Sequence, residues 1–216
     1  MGPIKAIHTA VYAGIDAALP LQSQRGKTIL ITGGSGGIGF AIARAFAIAN
    51  ALHLILLGRD ASRLARAIQR LKDEVPSFSG QVTTQVAELV DPDSLERAWD
   101  DALKISLGVD VLILNAAYMD EGRTILQSGW RQVWEQYEVN VRGNLMLVDR
   151  FVQQTQIEGR GKKVITIDQI FEHLANQIEF SLLSMSLQMR LTTMKPWKAS
   201  DLMLLQRQPG LVFYSI

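Results

Sequence analysis

Thr28-Ile-Leu-Ile-Thr32-Gly33-Gly34-Ser35-Gly36-Gly37-Ile38-Gly39 decides how this chain is read. The first five residues are a short, mostly β-branched run closed by glycines, which suits a buried strand. Gly37 to Asn50, rich in Ala and Ile, then reads as a helix, so the stretch is strand, glycine turn, helix. Glycines without a Cβ let the backbone turn tightly and approach a pyrophosphate, whose charge would face the amides at the helix N-terminus. On these residues alone, a tight turn that binds nothing stands beside that reading.

Outward from this unit the pattern repeats. Leu52 to Leu57 is a second apolar run, and Ser62 to Glu74 is helical, with Leu64, Ala67, Ile68 and Leu71 on one face. Gln81 to Val86 alternates as a third strand. Asp91-Pro92-Asp93-Ser94 then opens a helix to about Ser106, with an aspartate as cap and Pro92 near the first turn. Val109 to Leu114 is the fourth strand and Lys163-Val-Ile-Thr-Ile167 the fifth. Between them Trp130 to Val152 reads as one long helix with Trp134, Tyr137, Val141, Leu145 and Val148 in its apolar stripe. Strands alternating with helices of this length imply right-handed crossovers and a doubly wound parallel α/β sheet, with strand order 3-2-1-4-5. After Ile167 the rhythm fails: residues 168–209 hold four of the seven methionines and no strand-turn-helix unit, so an irregular tail is expected over 168–216.

Composition narrows the functional classes. The chain has 216 residues with 22 Lys plus Arg against 21 Asp plus Glu, a net charge of +1, and no basic patch denser than Arg160, Lys162 and Lys163, which argues against a nucleic-acid partner. Zero cysteines exclude thiolate catalysis and disulfides. The three histidines, His8, His53 and His173, have no metal-ligand spacing, so no metal is expected. No apolar run approaches a membrane span. Ile4, Ile7, Val11, Ile15 and Leu19 recur at helical spacing, which predicts an amphipathic leader helix within residues 1–26 that ends at Pro20 and packs on the domain. Membrane-surface association through residues 4–19 is the alternative to a cytoplasmic protein.

Three motifs in order, Thr32-Gly-x-x-x-Gly-Ile-Gly39, Leu114-Asn115-Ala116-Ala117 and Asn140 within Tyr137-Glu-Val-Asn-Val-Arg-Gly143, resemble the classical short-chain dehydrogenase/reductase family over residues 27–167. The resemblance implies a Rossmann-like fold, a nicotinamide cofactor and hydride exchange with the carbonyl or alcohol of a small organic molecule. It assigns Gly33, Ser35, Gly37, Ile38, Gly39, Arg59, Glu88, Asn115 and Ala116 to the cofactor. Ala117 departs from the family's usual glycine. Glu88 replaces the usual aspartate near the adenine with a longer carboxylate. At the end of the second strand Gly58-Arg59-Asp60 puts an arginine first, which pairs with a ribose 2′-phosphate, whereas an acid would accept from a 2′-hydroxyl. The expected cofactor is therefore NADP(H), against the plainer reading of Arg59 as a solvated turn residue.

For catalysis the resemblance calls for a serine, a tyrosine and a lysine four residues after it, with Asn140 holding a water in the proton relay. The tyrosine exchanges the proton while the lysine lowers its pKa. Tyr214, after Gln208-Pro-Gly210, is the tyrosine downstream of the fifth strand, and Ser200 precedes it by 14 residues. The chain ends two residues later, and about thirty residues separate Ile167 from Ser200. A chain cut before the lysine, carrying an inserted segment, is the expectation, and with it a C-terminal part of the fold that is incomplete. Such a chain would be either a reductase by ancestry or a cofactor-binding remnant. Homo-oligomers through the long helices are common in the family; truncation weighs against one here.

Overall fold

The computed structural model describes residues 16–120, 124–155, 161–167 and 211–215. The elements run β1 (Thr28–Thr32), α1 (Gly37–Ile48), β2 (His53–Gly58), α2 (Ala61–Glu74), β3 (Gln81–Val86), α3 (Pro92–Lys104), β4 (Val111–Leu114), α4 (Ile125–Tyr137), α5 (Asn144–Gln153), β5 (Lys162–Thr166) and β6 (Leu211–Ser215). A π-helical turn, Glu138–Gly143, joins α4 to α5. All strands pair in parallel in the order β3-β2-β1-β4-β5-β6. The doubly wound order expected for the first five strands is the one observed.

Each strand of a parallel sheet covered on both faces must be apolar on both sides, and β1 is buried at every residue. Alternate residues feed two cores. Ile29, Ile31, Leu54, Leu56, Val111 and Ile113 meet Phe40, Ala43 and Ala47 of α1 and Leu64, Ala67 and Leu71 of α2. Leu30, Ile55, Leu57, Leu112, Leu114 and Val164 meet Leu95, Ala98 and Trp99 of α3 and Leu147 and Phe151 of α5. Trp99 and Phe151 pack edge to face, centroids 6.4 Å apart, and lock α3 to α5. Both sets of helices therefore converge on the C-terminal ends of β1, β2 and β4, where the glycine turn lies.

Three expectations change. The long helix expected from Trp130 does run through to Gln153, but a π-helical turn at Glu138–Gly143 interrupts its α geometry. Thr124 caps α4 through a reciprocal pair with Gln127, Gly129 leaves helical geometry at φ 76°, ψ 160°, and the π-helical turn follows. The extra residue in a π turn rotates the helix face. Leu147 and Phe151 are buried and Val148 packs against the core, whereas Trp134, Tyr137, Val141 and Leu145 stand 45–62 % exposed. Second, the C-terminal tail is not irregular throughout, because Leu211–Ser215 adds a sixth parallel strand, with Tyr214 registered against Ile165 and Ser215 against Thr166. Leu-Val-Phe-Tyr is strong strand-forming sequence, and the open edge of β5 offers it a row of backbone donors and acceptors. Third, residues 16–22 hold turns and a single 3-10 turn at Pro20–Gln22, with no helix running into Pro20; the rest of the expected leader lies outside the described residues. No helix among the described residues is long and apolar enough to cross a membrane.

Candidate cofactor site

The turn after β1 is closed by contacts that leave no room for a side chain at Gly33 or Gly39. Gly33 adopts φ 67° and donates its N–H to Leu57 O at 2.8 Å. A Cβ on Gly33 would stand 2.9 Å from Asn115 Nδ2, and one on Gly39 would stand 2.3 Å from Gly33 O and 2.6 Å from the same Nδ2. Two glycines are thus required by close approach, one from strand end to strand end and one from helix to turn. Gly37, by contrast, has φ 53° and nothing within 4 Å of where a Cβ would be. Ile38 is exposed and Ser35 half-buried at the same lip.

The helix that begins here is left uncapped. Asp60 caps α2, Asp91 caps α3 and Thr124 caps α4, each with a side-chain oxygen on a first-turn amide. At α1 the capping position is Gly36 and no side chain caps it. The first amides of a helix have no partner within it, so those of Gly37, Ile38 and Gly39 keep their donors and the positive end of the dipole for something outside the chain. A pyrophosphate fits this arrangement in charge and in hydrogen-bonding sense.

The end of β4 braces the turn. Thr32 Oγ1 accepts the N–H groups of Asn115 and Ala116, both at 2.9 Å, while Asn115 Nδ2 donates to Thr32 O at 3.0 Å. Asn115 Oδ1 is buried without a hydrogen-bond partner. An orphaned acceptor of this kind costs about 1–3 kcal/mol unless something outside the chain donates to it. Asn115 and Ala116 are therefore brought to the turn, where Asn115 acts by tying β1 to β4.

Arg59 leaves the end of β2 exposed. Among the described residues Arg44, Arg70, Arg97, Arg142 and Arg150 all have carboxylates within ion-pair distance, whereas no ion pair of Arg59 is found. Its neighbour Asp60 turns back into α2, Oδ1 accepting Arg63 N–H at 2.9 Å, and that bond holds its carboxyl below the ordinary carboxylate value. Glu88 is half-buried in the turn after β3, its N–H donated to Ser94 Oγ at 3.3 Å.

Asn140 lies in the π-helical turn, and its side chain clamps the loop after β4. Oδ1 accepts Tyr118 N–H at 2.8 Å and Nδ2 donates to Tyr118 O at 2.7 Å. The turn itself docks on the β3–α3 connection: Arg142 donates to Val90 O at 2.6 Å and pairs with Glu138, and a Cβ on Gly143 would meet Leu89 O at 2.7 Å. Sequence reasoning missed this role of Tyr118, because a backbone acceptor leaves no mark in residue identity. Ser200 lies outside the described residues. Tyr214 is placed by its backbone in β6, registered with Ile165.

Residues 27–172 match the sequence profile of the family described as short chain dehydrogenase. The chain belongs to that family. Among its relatives is the short chain dehydrogenase pigC of Monascus ruber, 32% identical over 79% of this chain and 55% of the relative. Dehydrogenase/reductase SDR family member 4 of Bos taurus is 34% identical over 64% of this chain and 48% of the relative. A crystal structure of L-sorbose reductase from Gluconobacter frateurii, complexed with NADPH and L-sorbose, superposes with TM-score 0.60 at 29% identity, covering 68% of this chain and 54% of the reductase. This short-chain dehydrogenase family member thus spans about half the length of the curated relatives it matches.

Proposed function

We propose that the chain is an NADP(H)-dependent oxidoreductase that exchanges hydride with the carbonyl or alcohol carbon of a small organic molecule. The observation that carries this is the uncapped, glycine-built start of α1 beside an Arg59 with no ion pair among the described residues. Bound there, the nicotinamide would supply or accept the hydride. The residues of the chain do the rest: the amides of Gly37, Ile38 and Gly39 hold the pyrophosphate, Thr32 and Asn115 keep the β1 and β4 ends at fixed separation, and Arg59 takes the 2′-phosphate. An NAD-type ribose contact would need a free acid at the end of β2, and the carboxylate of Asp60 is committed to capping α2. The NADPH complex of the structurally similar L-sorbose reductase agrees with this choice.

A charge-assisted contact of about 1.5–3 kcal/mol corresponds to a preference of about 10–100-fold. Titrations of wild-type and Arg59→Ala protein with NADPH and NADH test it. Wild type should favour NADPH by that factor and the variant should lose the preference, whereas equal affinities of the wild type for both would remove the NADP assignment. The row of Trp134, Tyr137, Val141 and Leu145 is the face this reading gives to a second copy of the chain, to be checked by sedimentation equilibrium on wild type and Trp134→Ser.

A second reading, cofactor binding without turnover, is favoured by β6. Residues four apart on a helix are neighbours at about 5–6 Å, but on a strand they are about 13 Å apart. Tyr214 lies in strand β6, Leu211–Ser215, and not within a helix of the kind on which a residue four positions on would be its neighbour. NADPH oxidation with a panel of ketones and quinones separates the readings. Turnover abolished by Tyr214→Phe supports the tyrosine as proton donor, while NADPH binding without turnover supports the second reading.

A further inference from the structure

The seam between α1 and α2 is made of paired contacts until its last member. At the far end Arg44 Nε meets Glu74 Oε2 at 3.0 Å. One step toward the N-termini the Arg70 guanidinium lies over the Phe40 ring, 4.1 Å from its centroid, while its Nε holds Glu74 at 2.6 Å. At the mouth of the seam Arg63 Nη2 lies 3.5 Å from where a Cβ on Gly36 would stand. Positions 63, 70 and 74 share one face of α2, and 40 and 44 share one face of α1, with Gly36 as the residue that leads into it, so this is a single row. Arg44 and Arg70 share the one carboxylate of Glu74 within the row. Arg63 has no ion pair among the described residues: Asp60, the acid that acts on its charge, binds its backbone N–H through Oδ1.

Arg63 thus places a cation beside Gly36, next to the uncapped amides of α1, and it does so from the first turn of α2, four residues after Arg59 at the end of β2. The sequence put Arg63 in the first turn of an amphipathic helix, and nothing in its spacing distinguished it from Arg66 or Arg70. The geometry points to Arg63 as the second cation of the 2′-phosphate site, sharing the phosphate with Arg59. This rests on the NADP(H) reading above and deepens it. A 2′-phosphate carries close to two negative charges, which one guanidinium does not balance. A second guanidinium, beside Gly36, supplies the remainder without a new element of structure.

The test is calorimetric titration of the 216-residue chain with 2′,5′-ADP and 5′-AMP, which differ only in the 2′-phosphate, with folding verified by circular dichroism. Wild type should bind 2′,5′-ADP at least tenfold more tightly. Arg63→Ala should lose about tenfold, or about 1.4 kcal/mol, toward 2′,5′-ADP and stay within twofold for 5′-AMP. Arg63→Lys should recover part of the loss, and Arg66→Ala, which removes a charge from the same helix away from Gly36, should behave as wild type. An Arg63→Ala protein with the wild-type preference, alongside an Arg59→Ala protein that has lost it, overturns the inference and leaves the NADP(H) reading standing. Equal losses toward both ligands would move Arg63 to the 5′-phosphate and overturn it as well. A wild type without preference would instead sink the NADP(H) reading, and Arg63 with it.

Discussion

Replacing Gly39 by alanine sets two effects of opposite sign against each other. Gly39 is the third residue of α1, and on helix propensity alone alanine there should stabilise by about 1 kcal/mol. The packing says otherwise. The new methyl carbon would lie 2.3 Å from Gly33 O and 2.6 Å from Asn115 Nδ2, against about 3.5 Å for a comfortable contact. Relief requires the Gly33 carbonyl and the Asn115 amide to move about 1 Å, loosening the Asn115–Thr32 bond at 3.0 Å and the Gly33–Leu57 bond at 2.8 Å. Overpacking of about 1–3 kcal/mol plus about 1 kcal/mol of lost hydrogen bonding, less the propensity gain, leaves a net loss of about 1–3 kcal/mol. For a chain of this size that lowers Tm by about 3–10 °C. Gly36→Ala is the control: its φ of −175° is open to any residue, and its nearest neighbour, Arg63 Nη2 at 3.5 Å, is ordinary contact, so stability should stay within about 0.5 kcal/mol. Thermal unfolding of both variants decides. A Gly39→Ala protein at least as stable as wild type would mean that the turn is not packed on Asn115 as described.

Asn140→Ala removes both bonds to the Tyr118 backbone and should cost about 1–3 kcal/mol in a urea titration; an unchanged midpoint would show that the clamp contributes nothing. His53 is 3 % exposed in β2, with Nε2 2.7 Å from Thr83 Oγ1, and burial lowers its pKa below the ordinary 6.5. A depressed base stays neutral in the fold while the unfolded chain takes up a proton, so the stability it contributes is complete above about pH 6.5 and falls as pH drops below that value. Wild type should therefore lose more stability than His53→Gln between pH 7.5 and pH 5.5, and parallel losses would refute the assignment.

What could be read from the sequence follows from which interactions leave a periodic trace. The strands of the sheet centre, such as Thr28–Thr32 and Val111–Leu114, are buried on both faces and announce themselves as apolar runs, and the glycine turn follows from residue type. The long helix was legible, but not what its apolar row does: Trp134, Tyr137, Val141 and Leu145 have true helical spacing, yet periodicity reports an apolar face without saying what covers it, and a π turn is invisible to it. At the site, Asn115 was recognisable by motif, but its hub on Thr32 Oγ1 was not, since threonine in a strand is ordinary. Arg63 was hidden for the same reason, because its position matters only once α1 and α2 are side by side. Strand β6 was missed because five residues after Pro-Gly carry no helix partner from which a βα unit could be recognised.

The most direct test of a pyrophosphate at the start of α1 is amide hydrogen exchange of the whole chain with and without NADPH. The amides of Gly37, Ile38 and Gly39 should exchange readily alone and become protected when NADPH is added, while the capped first turns of α2 and α3 change little. NADPH binding that leaves those three amides unprotected would contradict the site proposed here.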